Sequence, residues 1–353
     1  MLMAKRKTLP KDFEELIKNG NEAEIKAVFE KCNINAYGGY YKGNAFEYLI
    51  SESMMKWLLE QGADINYVDE YGYTPLLRHA GHKYSEVQAI SLVKLGADIL
   101  AKDRLYGETA LHKAVTAGNI DLVKCLLEAG ADTDVTDIMG DTSLEHAFRL
   151  AVTFDLITLV PVTDYLLEKG VKVTDRLRDY MRKVAEDIEF RRNDLNPDHV
   201  EELDNALEYL YKVLQVETVP KRVLYDGKTK IEIHAKSWQK QHEELWSLLV
   251  PGSGHAQTVQ GEVIRISGRI AHELLDNGGC NWDADYRKMV KAWGAYVEMG
   301  TPLSAEELQE FRRLTKSIKS AEEQELARLT ELSVKWVTCN LDPIETGKIS
   351  YRR

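Results

Sequence analysis

Hydrophobic positions between Tyr71 and Asp137 follow a pattern that occurs twice in succession. The segment YGYTPLLRHAGHKYSEVQAISLVKLGADILAKD is followed closely by YGETALHKAVTAGNIDLVKCLLEAGADTDVTD. Each copy holds two short apolar runs at helical spacing, separated by polar residues and glycines. One such run places four side chains on a single helix face: Leu122, Val123, Leu126 and Leu127. Because so short a unit cannot bury its apolar face alone, the pattern predicts helix pairs stacked on copies of themselves.

The ends of the predicted helices are marked in the sequence. Thr74 and Thr109 stand where a helix N-cap is needed, since a threonine hydroxyl accepts a hydrogen bond from an amide of the first turn. Pro75 follows at the first helical position, where its missing N–H has no cost. A Gly-Ala-Asp step then ends the second helix at intervals of 34 residues, beginning at Gly62, Gly96 and Gly130.

These motifs resemble the ankyrin repeat, a unit of about 33 residues whose first helix begins T-P-L-H. Thr109-Ala110-Leu111-His112 and Thr74-Pro75-Leu76 occupy the place of that signature. Weaker copies flank the clear pair: Leu16 to Ala36, Asn44 to Asp69, and Met139 to Asp175 with about six inserted residues near Val152 to Pro161. The resemblance covers roughly residues 10–175. It implies an all-α solenoid of about five helix pairs, with atypical terminal repeats.

Beyond residue 175 the period stops, and the rest of the chain resembles no family that we recognise. We expect four parts: the repeat array over 1–175, a helical extension or cap over 176–216, a linker over 217–233, and a separate helical domain over 234–353. The linker has a turn-forming Asp226-Gly227 pair that favours a short hairpin. In the last part, Ser304 and Glu307 predict a capping box for a long helix reaching about Val337, with a break near Ser320.

The composition of the chain argues against membrane-spanning, secreted, zinc-binding and disulfide-rich proteins. The chain is 44% apolar and 29% charged, with no apolar run long enough to span a bilayer and no secretory signal at its start. Its four cysteines lie far apart and lack the spacing of a zinc site or a disulfide framework. We therefore expect a cytoplasmic protein without a metal or cofactor.

The net charge of −11 is concentrated in the repeats. Residues 1–170 hold 18 basic and 26 acidic side chains, whereas the remainder holds 28 and 31. An acidic array argues against a nucleic-acid partner, because phosphates attract basic surfaces. It favours a basic protein partner, although the acidity could equally serve solubility alone.

The family resemblance also implies where a partner would bind: on the turn tips and on the concave face formed by the first helices. The candidate binding residues at these places are Tyr71, Tyr73, Arg78, His82, Arg104, Tyr106, Lys113 and Met139. Tyrosine and arginine dominate interface energetics, so Tyr71, Arg104 and Tyr106 are the candidate anchors. The alternative is that these tyrosines pack between neighbouring turns. The resemblance makes His112 a structural residue, whereas His79 and His82 could face a partner.

The C-terminal part offers one candidate polar site. Five side chains are grouped on or just before a predicted helix: His255, Glu262, Arg265, Arg269 and His272. Their spacing is typical of a solvated face with ion pairs, and also compatible with a binding groove. His272, Glu273 and Asp276 partly match a zinc-helix motif, but no third ligand accompanies them, so we assign no metal.

The leading hypothesis is a non-enzymatic intracellular module that binds another protein through an acidic ankyrin surface. A concrete version is an immunity-type protein that neutralises a basic toxin, as some ankyrin proteins do. The alternative is an enzyme or a small-ligand-binding domain in the C-terminal part, targeted by the repeats. No residue is assigned a catalytic role.

Overall fold

The protein is described by a computed structural model that covers residues 4–223 and 225–352. Met1 to Met3, Leu224 and Arg353 lie outside that description, as does the side chain of Asn193. The chain divides into two compact units. One unit contains the residues up to Asp187 together with Pro197–Val219, and the other contains Ile188–Asn196 together with the residues from Pro220 onward.

The first unit is built mainly from helices, as the apolar periodicity predicts. In chain order its α-helices are α1 Phe13–Asn19, α2 Glu22–Lys31, α3 Glu52–Glu60, α4 Pro75–Ala80, α5 Glu86–Lys94, α6 Ala110–Thr116, α7 Ile120–Glu128, α8 Ser143–Leu150, α9 Asp155–Glu168, α10 Asp175–Arg191 (which continues into the second unit) and α11 Pro197–Leu214. The all-α prediction is confirmed, with one small exception in the first repeat.

That exception is a two-stranded parallel sheet. Strand β1, Arg6–Thr8, pairs with β2, Cys32–Tyr37, which directly follows α2. The sequence predicted a weak helical repeat over Leu16 to Ala36 here, and the strand was missed because CNINAY is short and has no clean alternation. The next repeat also departs from the prediction, since its first helix is reduced to a 3-10 turn at Ala45–Glu47.

The predicted helix starts are confirmed at equivalent places in successive repeats. Thr74 caps α4 by accepting a hydrogen bond from Leu77 N at 3.3 Å. Thr109 precedes α6, and its amide donates to His112 Nδ1 at 3.3 Å. Because Nδ1 accepts that hydrogen bond, the ring proton lies on Nε2 and is donated to Asp141 O at 3.2 Å in the next repeat. His112 is therefore structural, as the family resemblance implies.

The helix pairs stack in chain order. The first helices α4, α6 and α8 contact one another in succession, and so do the second helices α5, α7 and α9. The insertion predicted near Val152 to Pro161 lengthens α9, which has 14 residues where α5 and α7 have nine. Beyond it, α11 packs against α9.

The second unit is a helical domain around an aromatic core. Its helices are α12 Trp238–Leu249, α13 Val259–Leu275, α14 Ala284–Tyr296, α15 Ala305–Lys316 and α16 Glu323–Thr338. The buried core includes Trp293, Phe311 and Trp336. The predicted long last helix is broken into α15 and α16 by a 3-10 turn at Ile318–Ser320.

The segment predicted as a linker contributes to this core, where Ile231 is buried and donates its amide to Leu341 O. The predicted hairpin at Asp226-Gly227 is wrong. Asp226 Oδ1 accepts the amides of Lys228 and Thr229, which closes a turn, and no strand flanks it in the described part of the segment. Within residues 4–223 and 225–352, no helix combines the length and apolar character that crossing a bilayer requires.

Candidate functional site

A buried aspartate stands at the base of three successive turn tips. Asp69, Asp103 and Asp137 lie 34 residues apart and are each less than a tenth exposed. One carboxylate oxygen of each accepts backbone amides of its own tip. Asp69 Oδ1, for example, accepts Tyr71 N at 2.8 Å and Tyr73 N at 2.9 Å. These bonds fix the shape of the tip without involving its side chains.

The second oxygen of each aspartate holds a basic side chain from the following first helix. The three pairs are Asp69 with Arg78, Asp103 with Lys113, and Asp137 with His146. Arg78 Nε donates to Asp69 Oδ2 at 2.7 Å, and Lys113 Nζ forms an ion pair with Asp103 Oδ2 at 3.2 Å without hydrogen-bond geometry. We call this arrangement the aspartate ladder. The ladder was not predicted, although the 34-residue spacing of these aspartates is visible in the sequence.

The ladder changes the role of two predicted binding residues. Arg78 and Lys113 keep only 19% and 13% of their side-chain surface exposed. The guanidinium of Arg78 lies 3.7 Å from the ring centre of Tyr41 and 4.2 Å from that of Tyr73. Lys113 Nζ also pairs with Glu108 at 2.5 Å. These cations, together with half-buried Tyr73, therefore form the wall of the concave face and are largely neutralised within it.

The remaining predicted residues on the tips are exposed. Tyr71, Tyr106 and Met139 expose 41%, 54% and 62% of their surface, and Arg104 is exposed too. Neighbouring tips are joined by backbone hydrogen bonds from Glu70 N to Tyr41 O and from Ile138 N to Tyr106 O. The tips present a series of exposed large side chains, which we call the tip row: Tyr40, Tyr71, Leu105, Tyr106, Ile138 and Met139.

Tyr40 belongs to the tip row but was not found from the sequence, because its repeat lacks the recognisable helix start. It is 78% exposed and stacks on Tyr71 with ring centres 6.0 Å apart. Tyr41 contacts Tyr71 edge-on at 5.7 Å. Tyr71 therefore packs partly between neighbouring turns, as the alternative prediction stated. Two-fifths of its surface nevertheless remains exposed to solvent.

Behind the tips, the concave face has a groove of ≈ 410 Å³. It brings together four of the predicted residues with acidic, basic and apolar neighbours: Tyr73, Arg78, His82, Lys113, Glu108, His146 and Leu150. His82 is exposed and stacks on Tyr84 at 5.1 Å. The side chain of His79 is not available in this groove, because it is buried and hydrogen-bonded to Phe46 O at 3.0 Å. The expectation that His79 could meet a partner is therefore wrong.

The pKa values of His79 and Glu47, both near this face, are strongly displaced. Burial lowers the pKa of His79 to about 4, so the ring is neutral at pH 7 and donates from Nε2 to the carbonyl. Burial and the charge of Asp69 raise the pKa of Glu47 to about 7. One carboxylate oxygen of Glu47 is buried and accepts no hydrogen bond from any described residue. Glu47 therefore carries a buried negative charge only at a cost in stability.

The C-terminal polar site has a different character from the one expected. Glu262 and Arg265 are fully buried and form a bidentate ion pair, with Nε to Oε1 at 2.7 Å and Nη2 to Oε2 at 2.8 Å. The hydroxyl of Tyr351 donates to Glu262, and His255 Nδ1 lies 2.9 Å from Arg265 Nη2. The interpretation as a solvated face is wrong for this pair. Burial opposes ionisation of Glu262, but the hydrogen bonds from Arg265 and Tyr351 hold its pKa below the ordinary value.

The other members of that predicted site lie apart from the ion pair. His272 is exposed and bonds Asp276 at 2.7 Å, whereas Arg269 contributes with it to a separate groove beside Trp246. Glu273 is buried and accepts the Asn281 amide at 2.6 Å, so it stabilises the loop after α13. Within the described residues, no three His, Cys, Asp or Glu side chains are placed to hold a metal ion.

Comparison with known proteins identifies the repeats. A family model described as ankyrin repeats (3 copies) matches residues 45–137 and 84–176. Palmitoyltransferase ZDHHC13 of Homo sapiens is 34% identical over 85 residues, which are 24% of this chain and 14% of that protein. SH3 and multiple ankyrin repeat domains protein 2 of Homo sapiens is 43% identical over 93 residues, covering 25% of this chain and 5% of that protein.

A smaller relative is matched over more of its length. An ankyrin repeat protein of Acanthamoeba polyphaga mimivirus is 29% identical over 126 residues, or 34% of this chain and 74% of that protein. By contrast, the chain spans only 14% of the human palmitoyltransferase, so the resemblance concerns the repeats and not that whole protein. The stacked helix pairs, the capped helix starts and the family match agree: residues 45–176 are ankyrin repeats, and the chain carries the protein–protein interaction module that such repeats form.

Proposed function

We propose that the array binds one protein partner through the tip row and the adjoining concave groove, and that this partner is basic. The exposed side chains of the tip row carry the proposal. Large apolar and aromatic groups at 41–78% exposure on successive tips offer contact area at low entropic cost, since a tyrosine has few rotatable bonds. The fold does not require their exposure, because the aspartate ladder holds the tips through backbone amides.

The charge of the array supports the basic character of the partner. Residues 1–170 have eight more acidic than basic side chains. The basic groups nearest the groove, Arg78 and Lys113, are already paired with Asp69, Asp103 and Glu108, so they repel a cationic partner weakly. Long-range attraction between opposite charges speeds encounter and falls with ionic strength. A basic toxin neutralised by this protein is the specific form of the proposal.

The experiment compares three tagged full-length proteins in quantitative affinity purification from cells of the source organism. The proteins are the wild type, a tip variant with Tyr71→Ala, Tyr106→Ala and Met139→Ala, and a control with Val87→Ala and Val152→Ala. Val87 and Val152 are more exposed than the three substituted tip residues but lie outside the tip row. We expect one basic protein to be retained by wild type and control and lost from the tip variant.

The recovered partner is then titrated at increasing salt. Affinity should fall at least about tenfold for the tip variant, as expected when interface anchors are truncated. It should also fall as salt rises from 50 to about 200 mM, because exposed charges are screened beyond a Debye length near 10 Å. A partner that is retained equally by tip variant and control would refute the tip row as the binding surface. Salt-insensitive binding of an acidic partner would refute the basic character alone.

A further inference from the structure

Three basic side chains in the second unit face one groove without counter-charges. The groove, of ≈ 680 Å³, lies between α14 and the turn that follows α15. Its lining comprises three basic, three hydroxyl and three apolar or aromatic residues, and no carboxylate: Arg287, Lys316, Lys319, Thr315, Ser317, Ser320, Trp282, Val290 and Ile318. Arg287, Lys316 and Lys319 are exposed, and none makes a side-chain hydrogen bond or ion pair with another described residue.

Neighbouring cations on the same helices behave differently. Lys288 pairs with Asp285 at 3.0 Å, and Arg312 pairs with Glu298 at 2.7 Å. Arg313 lies 3.9 Å from Glu325. In a chain with 57 acidic and 46 basic side chains, counter-charges are plentiful. The groove is therefore a place where positive charge is concentrated and left unneutralised.

The walls of the groove add a flat apolar surface. Trp282 stacks on Tyr286 with ring centres 5.2 Å apart and ring planes 10° from parallel. Tyr286 and Ile318 are buried, so the indole is backed by the core. Aromatic faces bind flat rings such as nucleobases, and basic groups with hydroxyls bind phosphate oxygens. The volume lies within the range of small-molecule sites.

From these contacts we propose that this groove is a binding site for a small organic phosphate of the nucleoside phosphate class. The phosphates lie against Arg287, Lys316 and Lys319, and the ring lies against Trp282. The residues differ from the polar set that the sequence analysis had named for a C-terminal ligand. Nucleic acid is a poorer fit, because a polyanion needs an extended basic surface and the groove is confined to one side of an acidic protein.

Isothermal titration calorimetry of the full-length protein tests the site with ADP, pyrophosphate, adenosine and a phosphoserine peptide. We expect ADP to bind more tightly than pyrophosphate and adenosine to bind most weakly. The variant Lys316→Gln with Lys319→Gln should weaken ADP binding about tenfold or more, since hydrogen bonds to charged groups contribute that much.

The control carries Arg312→Gln and Arg313→Gln, which also removes two positive charges, in this case from α15 outside the groove. It should leave ADP affinity unchanged. Thermal unfolding of both variants confirms that they are folded, as expected for exposed side chains. The proposal is overturned if ADP does not bind, if pyrophosphate binds as tightly as ADP, if the phosphoserine peptide binds more tightly than ADP, or if the control weakens binding as much as the groove variant.

Discussion

The side chain of Arg104 lies directly over Gly72, in the space that a Cβ on residue 72 would need. A Cβ built there would be 2.5 Å from Arg104 Cγ, which is closer than non-bonded carbons approach. Gly72 also has a φ of 88°, in the left-handed region. The same relationship recurs one tip later, where Ile138 covers Gly107. In both cases a side chain of one tip packs against a glycine of the preceding tip.

Gly72→Ala should destabilise the array by more than backbone strain alone. We expect a loss of about 2–4 kcal/mol, combining the left-handed backbone penalty with overpacking against Arg104. The measurement is the free energy of unfolding in urea. Gly96→Ala is the matched control, because Gly96 has a φ of 89° and open space around its Cβ position. Equal losses for the two variants would show that the Arg104 contact is unimportant.

Asp69→Asn should test the aspartate ladder. The amide side chain keeps one acceptor for the tip amides but no longer balances the charge of Arg78, so we expect a loss of about 2–3 kcal/mol. The control is Asp98→Asn, an exposed aspartate that also accepts a backbone amide, from Leu100 at 2.9 Å. That substitution should change the free energy of unfolding by less than about 0.5 kcal/mol. Similar losses at the two positions would contradict a special role for Asp69.

Glu47 should make the array less stable as pH rises from about 4.5 to about 7. Its pKa is raised from 4.5 to about 7, so the folded state binds more protons than the unfolded state between these values. Glu47→Gln should remove this loss and make the protein more stable than wild type at pH 8. Free energies of unfolding measured from pH 4.5 to 8 provide the check. An unchanged pH profile in the variant would exclude Glu47 as its source.

His79 should make the array less stable as pH falls, which is the opposite of the effect of Glu47. Its pKa is lowered from 6.5 to about 4, so the unfolded state binds more protons in that interval and stability falls as pH falls through it. His79→Gln, which retains a donor for Phe46 O, should reduce this acid sensitivity. Free energies of unfolding in urea at a series of pH values measure this acid sensitivity. The control is His82→Gln, which makes the same substitution at an exposed histidine. An equal change in acid sensitivity for the two variants would contradict the role assigned to the burial of His79.

Glu262→Gln should strongly destabilise the second unit, because it removes the carboxylate charge of the bidentate ion pair with the buried Arg265. Removing one partner of a buried ion pair typically costs about 3–5 kcal/mol. Asp276→Asn, which breaks the exposed pair with His272, should cost less than about 1 kcal/mol. Circular dichroism during thermal unfolding distinguishes the two. A loss at Glu262 no larger than that at Asp276 would contradict the structural role of the ion pair.

The repeats could be predicted from the sequence because the residues that mark each helix start and end lie within a few positions of it. Thr74 and Thr109 cap their helices through residues three positions away, and the Gly-Ala-Asp steps mark where second helices end. The short strand after α2 was not predictable in this way. Its partner is β1, and the strand pairing places Arg6 opposite Cys32 and Thr8 opposite Tyr37. Cys32 Sγ also donates to Thr8 O, 24 residues earlier in the sequence.

The nature of the C-terminal polar site could not be predicted for a related reason. A glutamate and an arginine three residues apart on a helix look the same whether solvent or protein surrounds them. What distinguishes Glu262 is Tyr351, which reaches it from 89 residues further along the chain. The basic groove around Lys316 was missed similarly, since the absence of nearby carboxylates is a property of the fold.

In each tip, the residue that fixes the backbone is different from the residues whose side chains are exposed: the aspartate of the ladder fixes the backbone. Asp69, Asp103 and Asp137 accept backbone amides of their loops and pair with basic side chains behind them. We therefore expect substitutions at positions 71, 106 and 139 to alter the exposed surface of the tips while the backbone contacts of the aspartates keep the shape of the loops. In the binding surface that we propose, selection or engineering could then change the specificity one loop at a time.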